Sequence, residues 1–118
     1  MYKVEINRKQ ILETFIKMIE HFTDKQYQKR AWIKGEAADF DEAVCLFFES
    51  GDPILENYKS FGITELQHKL LMKLRNEFEV FSNENNFPQK FIDTPEWEKI
   101  IEMAEIVLRA FNYNKFHN

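Results

Sequence analysis

Along the first part of the chain, Ile11, Leu12, Phe15, Ile16, Ile19 and Phe22 recur at three- and four-residue intervals, with Glu13, Thr14, Lys17 and Glu20 between them. That spacing places the apolar set on one face of a helix. Asn7 suits its N-cap, and the preceding Tyr2, Val4 and Ile6, alternating with Lys3 and Glu5, suit a short extended arm or an edge strand. Asp24 is placed to cap a second, basic helical stretch running through Lys25, Lys29 and Arg30 to Trp32 and Ile33. Gly35 follows as its left-handed stop.

The next start is sharper. Asp39 with Glu42 three residues on has the capping-box form, and Phe40, Ala43, Val44, Phe47 and Phe48 mark the buried face of the helix that follows. Gly51 is expected to close that helix. Asp52 and Pro53 then restart the chain as N-cap and first residue of a short helix carrying Ile54, Leu55 and Tyr58 up to Gly62. Thr64 and Gln67 repeat the capping box ahead of Leu66, Leu70, Leu71, Leu74, Phe78 and Phe81, the longest apolar stripe in the chain. From Ser82 to Thr94 the residues Asn83, Asn85, Asn86 and Pro88 predict an irregular connection, with Phe87, Phe91 and Ile92 packing it onto the core. Thr94 and Pro95 open a last helix whose Trp97, Ile100, Ile101, Ala104, Val107, Leu108 and Phe111 keep helical spacing nearly to the C-terminus.

These elements predict an all-α fold: a compact bundle of five to six helices forming a single domain over residues 1–118. Composition agrees, because only three glycines and three prolines are present, too few for the frequent turns of an all-β chain of this length. Twelve phenylalanines supply ample apolar area for a core. The single cysteine, Cys45, excludes an internal disulfide and fits a reducing, cytoplasmic setting. No apolar run approaches the roughly 20 residues of a membrane span, so no membrane partner is expected.

Charge is unevenly spread. The net charge is −4, yet residues 1–35 carry eight basic and four acidic side chains. Residues 36–56 carry seven acidic ones (Glu36, Asp39, Asp41, Glu42, Glu49, Asp52 and Glu56) and no lysine or arginine. Part of that run has a local cause, since carboxylates are favoured at helix starts. The rest points to an acidic surface for a basic protein, where complementary charge speeds encounter and rejects wrong partners.

Catalytic and metal patterns are weak by comparison. Glu65 and His68 form one Glu-x-x-His pair, whereas a helical di-iron site needs two such pairs and two further glutamates, so no metal or cofactor is expected. Cys45 lies between Val44 and Leu46, with no histidine or basic residue nearby in sequence to activate it, so packing in the core is its expected fate. His21, His68 and His117 are scattered, and neither a phosphate loop nor a serine elbow occurs. The chain therefore reads as a non-enzyme. The basic residues Lys25, Lys29, Arg30 and Lys34, interleaved with Tyr27 and Trp32, offer an alternative: a small helical adaptor or nucleic-acid-associated regulator.

Several segments carry a family resemblance: Trp32-Ile33-Lys34-Gly35-Glu36, Asp39 to Phe48, Asp52-Pro53-Ile54-Leu55, Phe61-Gly62-Ile63-Thr64, and Phe91 to Trp97. Together, over about residues 31–113, the chain resembles the bacterial immunity proteins that pair with contact-dependent growth inhibition toxins. It departs from that pattern at Ala37 and Ala38, where the family has a glycine-proline pair. The resemblance implies a cytoplasmic partner for a cognate toxin domain, commonly a nuclease, held inactive in the complex. A nuclease must be basic to hold phosphate, so Glu36, Asp39, Asp41, Glu42, Glu49 and Asp52 are the expected partner-binding residues, with no direct contact to nucleic acid.

Overall fold

Four of the five expected N-caps downstream of residue 20 close as hydrogen bonds in the computed structural model, which describes residues 2–112, with side chains from Asn7 onward; the fifth, Asp52, lies inside a continuous helix and caps nothing. Asp24 Oδ1 accepts from the Tyr27 amide at 3.0 Å, and Thr94 Oγ1 accepts from the Trp97 amide at 3.3 Å. The Asp39 carboxylate accepts from the Glu42 amide at 2.9 Å while Glu42 Oε1 accepts from the Asp39 amide at 3.3 Å. Thr64 and Gln67 reciprocate in the same way, at 3.1 and 2.8 Å. Each pair satisfies amides that the first helical turn leaves without partners.

The elements in order are α1 (Tyr2–His21), α2 (Lys25–Gln28) continued by a π-helical turn (Lys29–Ile33), α3 (Phe40–Glu56), α4 (Glu65–Glu84), α5 (Pro88–Phe91) and α6 (Pro95–Ala110). Among the described residues there is no strand. Four long helices form a ring in which α1 and α4 each lie between α3 and α6. Gln67, at the start of α4, donates from Nε2 to the Ala110 carbonyl at the end of α6 at 2.9 Å, so those two run antiparallel. Phe22, Phe40, Phe78 and Trp97 meet at one end of the ring, which α2, the π-helical turn and α5 close.

Three boundaries differ from expectation. First, α1 begins at Tyr2, not after Asn7, and takes in the segment expected to be extended. A lone strand has no neighbour to satisfy its backbone, whereas a helix satisfies its own. Second, α3 does not stop at Gly51; it runs on through Asp52 and Pro53 to Glu56. Pro53 and Glu49, whose carbonyl loses its helical donor, are both exposed, so water can replace the missing bond. Third, α4 extends to Glu84, and Phe87 stays 58% exposed while Phe91 and Ile92 are buried as expected. Leu66 is also exposed, because it sits about 140° round α4 from Leu71 at 100° per residue. After Ala110 the chain takes a left-handed turn at Asn112, and the expected helical extension past it lies outside the described residues.

Gly51 marks where α1 and α3 approach closely. It is fully buried in the helix, and a Cβ built there would stand 2.8 Å from Phe15 Cζ. Phe15 is itself 1% exposed and packed on Phe47, so moving the ring aside disturbs the core contact. Helix propensity favours alanine over glycine by roughly 0.5–1 kcal/mol, but overpacking costs about 1–3 kcal/mol. We expect Gly51→Ala to lower stability by about 1 kcal/mol in urea titration, and Phe15→Leu in the same chain to recover part of that loss. A stabilised single variant would contradict the close approach.

Candidate functional site

The side chains of α3 divide by face. Phe40, Phe47, Gly51, Ile54 and Leu55 are buried, and on the opposite side Glu42, Glu49 and Glu56 follow one another at seven-residue steps. Seven residues are close to two helical turns, so the three carboxylates form one row along the helix, flanked by Asp41, Cys45 and Asp52. Asp41, Glu42, Glu49 and Glu56 are all exposed, and so is Cys45, contrary to its expected core position, because it falls about 140° round α3 from the buried Phe40 at 100° per residue. Among the described residues no lysine, arginine or histidine forms an ion pair with Glu36, Asp39, Asp41, Glu42, Glu49 or Glu56. Like charges in a row repel, so the helix carries them at some cost.

Three of the six expected partner-binding residues have structural duties. Asp39 and Glu42 hold the capping box. Asp52 is turned toward α4, where Arg75 donates from Nε to Oδ1 at 3.0 Å and from Nη2 to Oδ2 at 3.2 Å. Arg75 also reaches Glu79 at 2.9 Å and lies 5.1 Å from the centre of the Phe48 ring. Hydrogen bonding to Asp52 holds the Arg75 guanidinium above its ordinary pKa. Glu36 stands ahead of the helix, tied by its amide to the Arg30 carbonyl at 2.9 Å, and is not on the row. Glu56, which the charge count includes but the expected site residues omit, completes the row, and the continuation of α3 past Gly51 is what puts it there.

Comparison of the chain with known protein families, with curated proteins and with solved structures finds no match.

The basic segment is differently disposed. Lys25 is engaged by Glu98 and, at 3.5 Å, by Asp93; Trp32 is buried, and the Tyr27 ring stacks on His21 with centroids 3.9 Å apart. Its two aromatic rings are thus committed inside the fold rather than presented for bases to stack on. Glu65 and His68 do not converge on a metal geometry. Glu65 Oε2 accepts from the Tyr58 hydroxyl at 2.8 Å and His68 stacks on the Tyr58 ring. Among the described residues no group of three or more His, Cys, Asp or Glu side chains is placed to hold a metal ion. None of the described helices is long and apolar enough to cross a membrane.

His21 gives a pH signature. Desolvation at the end of α1 pushes its pKa below the ordinary value and outweighs the opposite pull of Glu20 and Asp24, with Lys17 lowering it further. Protonation therefore favours the unfolded chain. The His21 contribution is intact above the unfolded pKa of about 6.5 and is lost as pH falls below it. We expect His21→Gln to flatten the fall in melting temperature between pH 7 and pH 5; an identical slope in both proteins would refute the assignment.

Proposed function

We propose that this chain is a binding protein that neutralises a cationic protein by laying the carboxylate row of α3 over it, as an immunity protein covers a toxin's active site. One observation carries the reading: Glu42, Glu49 and Glu56, with Asp41 beside them, stand exposed in a single row and have no cationic partner among the described residues. Carboxylates on a surface remain hydrated at little cost, and they steer a positively charged partner from beyond contact distance. A nuclease domain fits that description because its substrate groove must be cationic. Inhibition is then steric and electrostatic, with the row occupying the groove that phosphates would otherwise fill.

The test uses the toxin domain that the reading requires. The C-terminal domain of the protein encoded immediately upstream would be purified and mixed with this chain, and its nuclease activity followed. A stoichiometric complex that abolishes cleavage is the expected outcome, with association slowing as salt rises. Undiminished cleavage with an equimolar or greater amount of the chain would reject the proposal.

A further inference from the structure

Beside the acidic row lies a cavity of about 300 Å³ between α1, the residues around the π-helical turn and the first turns of α3. Its walls are largely apolar, built by Met18, Phe22, Trp32, Ala38, Ala43 and Leu46, with Thr14, Lys17 and the stacked His21 and Tyr27 completing the lining. Two features set it apart from a packing defect. The π-helical turn that carries Trp32 is a rare conformation, found frequently at functional sites. Leu46 also stays 46% exposed at the cavity although a core lies directly behind it.

The lining itself holds no carboxylate, but acids border its α3 wall. Asp39 is four residues before Ala43, and Glu42 four before Leu46, so each carboxylate neighbours a wall residue along the helix surface. Apolar walls with acids at the edge match an apolar side chain carried between cations. Such an anchor, seated in a pocket and ringed by polar contacts, is how a small area supplies most of an interface's affinity.

We infer that this cavity receives one apolar side chain of the cationic partner, flanked there by lysines or arginines that meet Asp39 and Glu42. The inference rests on the acidic-row reading and adds to it the residue type that fixes register. Lys17, on the α1 side, keeps a second cation from settling across the whole mouth and so favours an apolar group at its centre.

Three capped peptides test it by chemical-shift mapping on the ¹⁵N-labelled chain: Lys-Lys-Phe-Lys-Lys, Lys-Lys-Ala-Lys-Lys and Ser-Ser-Phe-Ser-Ser. The first is expected to shift the Trp32 indole and the Ala43 and Leu46 amides, and to bind about tenfold more tightly than the alanine peptide. The neutral peptide should bind more weakly than the first. Equal affinity of the two lysine peptides, with shifts confined to the outer face of α3, would overturn the cavity while leaving the acidic row standing. Equal binding of the neutral peptide would overturn the coupling to charge, and no shift with any peptide would overturn the cavity and the row together. Narrowing the cavity with Ala43→Leu should erase the preference for phenylalanine and spare the response to the alanine peptide.

Discussion

Trp97→Ala is expected to be the most damaging single substitution in the molecule, costing about 3–5 kcal/mol in urea or thermal unfolding. The indole is completely buried and its ring lies 5.1–6.4 Å from those of Phe22, Trp32, Phe40, Phe78, Phe81 and Phe91, so its loss opens a void where every layer meets. A polar penalty is added. Trp97 Nε1 donates to Gln28 Oε1 at 2.9 Å, and Gln28, fully buried, donates from Nε2 to the His21 carbonyl at 2.9 Å. Without the indole, the Gln28 oxygen is left without a donor in the interior, which costs about 1–3 kcal/mol unless water enters. Domains of this size hold about 5–15 kcal/mol in all, so the variant should be largely unfolded at moderate temperature. Trp97→Phe keeps most of the packing and isolates the hydrogen-bond share. A loss below about 1 kcal/mol for the alanine variant would mean that the aromatic hub is not the keystone of this fold.

The second large effect concerns association. Reversing Asp41, Glu49 and Glu56 to lysine spares both the Asp39–Glu42 capping box and the Asp52–Arg75 pair, so the helix content by circular dichroism should stay unchanged. The association rate with the cationic toxin domain should fall at least about tenfold at low ionic strength, and its dependence on salt should flatten. Reversal at Asp39 or Glu42 is a poorer test because it removes a cap worth about 0.5–2 kcal/mol and confuses folding with binding. A triple variant that associates as fast as the parent, with the same salt slope, would take the row out of the interface.

Much of this architecture was legible in the sequence because it is specified locally. Asp24, Asp39, Thr64 and Thr94 each act within three residues, and the stripes on α4 and α6 need only helical geometry to be seen. What stayed hidden depends on neighbours distant along the chain. Gly51 followed by Asp52 and Pro53 reads as a stop and a restart, yet the glycine is there because Phe15 presses against it from α1. The acidic excess was visible as a count, whereas its ordering into a row depended on α3 continuing to Glu56. Asp52 looked as free as its neighbours until Arg75, 23 residues away, was placed beside it. Gln28 sits in a polar, basic segment and gave no hint of burial, since both of its partners come from other elements. The apolar cavity is likewise drawn from three stretches of chain, with no motif in any of them.

Cys45, the sole cysteine, stands exposed between Glu42 and Glu49 and so reports directly on the face in question. The rate of its alkylation by iodoacetamide, measured with and without saturating toxin domain, is the most direct test of the account. A partner laid along α3 must shield the thiol, so the rate should collapse in the complex and recover at high salt as the complex dissociates. A complex that forms and inhibits while Cys45 reacts as quickly as in the free chain would contradict it.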